Sequence, residues 1–115
     1  MIEHPSLTVV FYKTTSGKEP VREWLRDLSN EEKKIIGKDI TKMQLLWPIG
    51  PPLVKKLDDN LWELRSDLDN RTARILFAFY KNQMVLLHGF IKKSQKTPKK
   101  DLDLARQRKA VFKKG

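Results

Sequence analysis

Cysteine is absent from the 115 residues. Its absence excludes disulfide frameworks, thiolate zinc sites and a cysteine nucleophile, and is compatible with a reducing cytoplasm. Histidine is scarce: His4 lies in a terminal segment, and His88 is the only other. No His/Asp/Glu group has metal-ligand spacing and no glycine-rich loop resembles a phosphate cradle, so the chain calls for neither metal nor cofactor. The longest nearly unbroken apolar run, Met84 to Ile91, falls far short of the ~20 residues of a membrane span. Met1-Ile2-Glu3-His4-Pro5 is not the basic start of a secretory signal. With no internal repeat and no low-complexity block, the expectation is one cytoplasmic domain over residues 1–115, without a membrane partner. That length is enough to bury a core unaided.

What the chain has in excess is positive charge. Lys and Arg number 24 against 14 Asp and Glu, a formal charge of +10. Residues 92–115 carry ten of the cations and two of the acids, or +8, which leaves +2 for the first 91 residues. Such clustering suits a polyanionic partner (nucleic acid, an acidic membrane or an acidic protein). A solvated lysine face kept for solubility is the plainer reading.

Patterning gives the elements. Leu7 to Tyr12 is rich in β-branched and aromatic residues and reads as a strand. Val21, Trp24, Leu25 and Leu28 make one face of a helix that starts near Pro20, with Ser16 and Glu19 as an alternative capping box. Ser29 and Glu32 cap a second helix whose inner stripe is Ile36, Ile40, Met43 and Trp47, stopped by Pro48, Gly50, Pro51 and Pro52. Leu61–Arg65, Thr72–Tyr80 and Gln83–Lys92 read as three antiparallel strands, the last two joined by Lys81-Asn82. In the middle strand Ala73, Ile75, Phe77 and Phe79 share one face; Arg74, Leu76, Ala78 and Tyr80 share the other. Both faces are largely apolar, as in a central strand, and Arg74 stands out. Thr97 as N-cap and Pro98 as first residue open a basic C-terminal helix with Leu102, Ala105, Val111 and Phe112 inward. The fold class is α+β: strand–helix–helix–three-strand meander–helix, with the helices packed on a small sheet.

Conventional catalytic groups are few. Cations, however, stand in or beside the strands: Lys55 and Lys56 before the first strand of the meander, Arg65 at its end, Arg74 in the next, and Lys92, Lys93 and Lys96 at or after the last. Converging at one end of a meander, they suit a phosphodiester whose transition state gathers charge on non-bridging oxygens. RNA needs the least machinery, because its own 2′-hydroxyl is the nucleophile. A crowded or buried lysine is a natural proton carrier there. The competing structural readings are a salt bridge from Arg65 to Asp67 or Glu63, an internal carboxylate for Arg74, and a packed His88.

Gly50-Pro51-Pro52-Leu53-Val54-Lys55-Lys56-Leu57, Leu61-Trp62-Glu63-Leu64-Arg65, Ala73-Arg74-Ile75-Leu76-Phe77 and Leu86-Leu87-His88-Gly89-Phe90-Ile91-Lys92-Lys93-Ser94-Gln95-Lys96-Thr97-Pro98 resemble the phage-derived branch of HigB toxins, in the RelE/ParE superfamily of type II toxin–antitoxin modules. The resemblance spans about Val9 to Arg108. It implies a RelE/ParE-like fold and a metal-independent endoribonuclease that cuts mRNA on the ribosome and stops translation. The implied partners are the ribosome with bound mRNA and a HigA-type helix-turn-helix antitoxin, through which alone operator DNA is contacted. Within the family pattern Arg65 and Arg74 match strand arginines, the second holding the scissile phosphate, and Lys93 falls near a basic residue that stabilises the transition state.

RelE-type enzymes carry strand lysines where this chain has Leu61 and Glu63, so Lys55, Lys56 or Lys96 would take over their role. The tyrosine expected near the basic end has no counterpart around Lys99. The catalytic candidates are therefore Arg65, Arg74, Lys93 and Lys96, and the RNA-binding candidates Lys55, Lys56, His88, Lys92, Lys99 and Lys100. Two other readings compete: a ParE-like, non-enzymatic gyrase poison, and a plain RNA-binding module. The second is disfavoured because Trp62, Phe77 and Phe79 fall at core positions.

Overall fold

The computed structural model describes residues 7–92 and 96–114, with side chains to residue 112. It opens with the short strand β1 (Thr8–Phe11), followed by helices α1 (Pro20–Arg26) and α2 (Asn30–Leu46). Four strands come next, β2 (Val54–Asp58), β3 (Leu61–Asp67), β4 (Thr72–Tyr80) and β5 (Gln83–Lys92), and helix α3 (Lys99–Lys114) follows. All five strands belong to one mixed sheet in the order β1-β5-β4-β3-β2. Strands β2 to β5 form an antiparallel meander, and β1 lies parallel to β5. The α+β class is as expected, but the meander has a fourth strand. Val54–Asp58, read from sequence as the approach to the first strand, pairs with β3 as the sheet edge. Its two lysines disguise it, and edge strands are where lysine is at home.

Local chemistry explains the helix starts. The Ser29 hydroxyl accepts from the Glu32 N–H at 3.1 Å, and the Glu32 carboxylate accepts from the Ser29 N–H at 3.1 Å, a complete capping box for α2. Helix α1 begins on Pro20 without a side-chain cap, because Ser16 bonds to Thr14 and Glu19 to Arg22. Helix α3 begins at Lys99, one residue later than expected. The Pro98 carbonyl accepts from the N–H groups of Asp101 and Leu102, and the Thr97 hydroxyl is not a cap but a donor to Glu63.

Two cores flank the sheet. On one side Ala73, Ile75 and Phe77 of β4 and Met84 and Leu86 of β5 meet Val21 of α1 and Ile36 and Met43 of α2. On the other, Leu61, Leu76, Ala78, Val85 and Leu87 meet Ala105, with Leu102 and Phe112 of α3 packed against them. Val111 was expected to point inward but is 46% exposed, since the last turn of α3 turns only Phe112 toward Tyr80. The two faces of β4 are as its alternation predicts. Those of β5 are not. A bulge shifts its register between Leu76 and Phe77 of β4, leaving Leu87 as the extra residue. Val85 and Leu87 face α3 before the bulge, and His88 and Phe90, opposite Leu76 and Arg74, face it after.

The other face of β5 then carries Gly89. A Cβ there would run into the Trp24 ring of α1, so the glycine is what lets α1 lie on the sheet. Gly89→Ala should cost about 1–3 kcal/mol through overpacking, read as a lower urea midpoint at unchanged m-value. An unchanged midpoint would mean that Trp24 is free to move aside.

Candidate functional site

The cations of the meander converge on the α3 side of one end of the sheet. Arg65 of β3 and Arg74 of β4 are direct cross-strand partners, Lys55 of β2 opposes Glu63 of β3, and Phe90, two residues before Lys92, opposes Arg74. Opposed residues share a face, so Lys55, Arg65, Arg74 and Lys92 surround one carboxylate, Glu63.

Glu63 is completely buried and is the hub of the cluster. Its Oε1 accepts from Arg74 Nη1 at 2.8 Å and from Arg65 Nε at 3.1 Å; its Oε2 accepts from the Thr97 hydroxyl at 2.6 Å. Burial alone would raise its pKa. The Thr97 and Arg65 donors, with the charges of Arg74 and Arg65, more than reverse this and hold the carboxyl below the usual glutamate range. Thr97 also fastens the start of α3 to the cluster, bringing the positive end of the helix dipole to a patch already rich in cations.

The cations differ in what they have left to offer. Arg74, expected to hold a phosphate directly, is 6% exposed and bound to Glu63. It is therefore not a free hook for anions, because a guanidinium inside a sheet face needs an internal acceptor. Its Nε is buried without a partner among the described residues. Arg65, also on Glu63, keeps 30% of its side chain exposed and is the arginine that solvent can reach.

Lys92, read as a surface RNA contact, is instead 5% exposed, and its Nζ has no hydrogen-bond partner among the described residues. Burial first, then the charges of Arg74, Arg65 and Lys55, push its pKa down, with Glu63 pulling only partly the other way. Lys55 is exposed on the cluster's face. Lys56, opposite Trp62, lies on the other face with its Nζ 5.3 Å from the Trp62 ring centroid, and so does not join the cluster.

Lys96, Lys99 and Lys100 are exposed just before and at the start of α3. Lys93 lies outside the described residues. His88 is not a free RNA contact either: its Nε2 is 2.6 Å from Asp101 Oδ1 of α3, and its ring stacks on Phe90. Sequence reasoning placed Glu63 and Thr97 only as a salt-bridge option and a helix cap, and missed them as the centre of the site. The signal available was one glutamate on the same strand face as Arg65, two residues away.

The groove of about 310 Å³ at the opposite end of the sheet, lined by Asn60, Tyr80 and Phe112 among others, is largely apolar. Its Lys109 ammonium already donates to the Asp59 carbonyl at 2.5 Å. The chemistry therefore lies with the cation cluster and not with this groove. Among the described residues no group of His, Asp and Glu is arranged to hold a metal ion, and no helix is long and apolar enough to cross a membrane.

A family model described as phage derived protein Gp49-like (DUF891) matches residues 23–110. The match runs from within α1 into α3 and contains every residue of the cluster. No curated protein matches the chain.

Proposed function

From the premise that the chain belongs to the Gp49-like family of phage-derived proteins, which is associated with RelE/ParE-type toxins of toxin–antitoxin modules, we propose that it is a HigB-like toxin that cleaves mRNA on the ribosome. The family implies an antitoxin partner, here of the HigA type with a helix-turn-helix domain. On this reading the mixed five-stranded sheet and three helices are a RelE/ParE-like toxin fold, and the protein works in the cytoplasm. The observation that carries the reading is the cluster of four cations around one buried carboxylate.

An RNA phosphodiester brings its own nucleophile. The protein has to place the 2′-hydroxyl in line and neutralise the charge that builds on the non-bridging oxygens. Arg65, half-open, meets the phosphate. Arg74, fixed behind it by Glu63, adds positive potential without moving. Lys55, Lys96, Lys99 and Lys100, all exposed, grip the flanking backbone, and Lys93 stabilises the transition state. The basic face of α3 holds ribosomal RNA, so binding should weaken steeply with salt.

The test is in vitro translation with purified protein, mapping new mRNA ends with and without ribosomes. Wild-type protein should produce ribosome-dependent ends. Arg65→Ala should reduce their rate by about 10²–10³-fold while leaving the melting curve nearly unchanged, because Arg74 and Thr97 still satisfy Glu63. Arg74→Ala is the poorer probe, since it also opens a buried ion pair. Unchanged mRNA ends accompanied by DNA breaks would overturn the nuclease and favour a gyrase poison.

A further inference from the structure

We propose that Lys92 is a catalytic residue of that reaction, the base that takes the proton from the attacking 2′-hydroxyl. This rests on the RNA-cleavage reading given above and assigns its proton transfer.

One donor in the cluster is unanswered among the described residues. A lysine ammonium has three N–H bonds to place, and burying it without an acceptor is costly. Lys92 is buried, and its Nζ has no partner among the described residues. Two acids of β3 share its face: Glu63, whose Oε1 is taken by two guanidinium groups and Oε2 by Thr97, and Asp67, opposite Thr72 and accepting from the Thr72 hydroxyl at 3.4 Å. From the strands, Lys92 faces Arg74, Arg65 and Lys55, all cations. Asp101, at the start of α3, is engaged by His88. No acceptor among the described residues holds the proton in place, and Arg74, Arg65 and Lys55 repel it while Glu63 attracts it. Burial and these cations accordingly lower its affinity for a proton.

The other candidates lack this combination. Lys56 is on the opposite face, and Lys55, Lys96, Lys99 and Lys100 are open to water. Glu63, engaged by three donors and held ionised, is a poor proton acceptor.

The step balances as follows. In the proposed complex the phosphate enters at Arg65, the half-open member of the cluster, and Lys92, buried in the free protein, turns its amine out to the ribose. The lone pair of neutral Lys92 Nζ takes the 2′-hydroxyl proton, and the electrons of that O–H bond form the new O2′–P bond. The P–O5′ bond breaks with its electron pair, and the 5′ oxygen is protonated by water. The products are a 2′,3′-cyclic phosphate and a 5′-hydroxyl end. The ammonium left on Lys92 then returns its proton to solvent.

The experiment measures single-turnover cleavage of ribosome-bound mRNA against pH for wild type, Lys92→Arg and Lys92→Met, alongside a ¹³Cε titration of Lys92 in the free protein. The wild-type rate should climb with pH and level off where the ¹³Cε signal titrates. Lys92→Arg stays charged at every working pH, so it should keep ribosome binding, lose about 10²-fold or more in rate and lose the inflection. Lys92→Met, which removes a buried charge, should fold and be equally slow. If Lys92→Arg or Lys92→Met cleaves at the wild-type rate with the same pH profile, Lys92 is not the base while the nuclease reading survives. If wild type makes no ribosome-dependent ends, the nuclease reading fails and takes this assignment with it.

Discussion

Glu63→Gln should lower the unfolding free energy by about 3–5 kcal/mol. The carboxylate is fully buried, and it is the acceptor shared by Arg74, Arg65 and Thr97. An amide of the same shape keeps part of the hydrogen bonding but removes the only negative charge of the cluster, leaving Arg74 and Lys92 buried beside Arg65 with nothing to offset them. Urea unfolding near neutral pH reads the loss directly as a shift of the midpoint at constant m-value.

The pH dependence has a definite sign. The folded-state pKa of Glu63 lies below its unfolded value, so its contribution is fully present above about pH 4.3 and is lost as pH falls through the folded value. Wild type should therefore lose stability in acid faster than Glu63→Gln, and the two curves should draw together. A difference under about 1 kcal/mol at neutral pH would mean that water, not Glu63, compensates the arginines.

This buried hub shows how far the sequence could be read. Arg74 was conspicuous in it because a lone cation in an otherwise apolar central strand needs an anion from somewhere. What no spacing rule supplies is which anion. A carboxylate on the neighbouring strand and a substrate phosphate satisfy the same guanidinium, and only the fold, by burying Glu63 between Arg65 and Arg74, decides for the internal partner. Thr97 misled for a related reason. Thr-Pro before a helix is a sound capping signal, but the hydroxyl found a buried carboxylate 34 residues away, and the Pro98 carbonyl begins the helix.

The elements were legible wherever one period held. The stripes of α1 and α2, the capping box at Ser29 and the two-faced β4 are all local signals that the packing agrees with. Strand β2 escaped because it is short and two of its five residues are lysine. Strand β5 was read with its full span, but not which way its side chains face, because the bulge at Leu87 reverses its alternation and only pairing with β4 reveals a bulge. The family match covers these same strands and the loops between them.

Lys92→Met should make the protein more stable, by about 1–3 kcal/mol, and should slow cleavage by about 10²-fold or more. Lysine and methionine are both unbranched and similar in length; what changes is that a buried amine without an acceptor among the described residues becomes an apolar thioether. The sign follows from linkage. The folded-state pKa of Lys92 lies below the unfolded value of about 10.4. Below the folded pKa both states of wild type carry the proton, and the folded state bears the whole cost of burying it. Between the two values the unfolded chain binds more protons than the folded one, so wild-type stability rises with pH. The advantage of Lys92→Met should hence be full below the folded-state pKa and fade as pH rises from there toward about 10.4, which thermal melts against pH will follow. A purely structural lysine would not behave this way, since its removal would destabilise the fold or leave it unchanged. A residue that lowers stability while it is present, in the middle of a cation cluster, is the signature of a group retained for chemistry. If Lys92→Met melts below wild type at neutral pH, the amine has a partner that holds it in place, and it belongs to the scaffold.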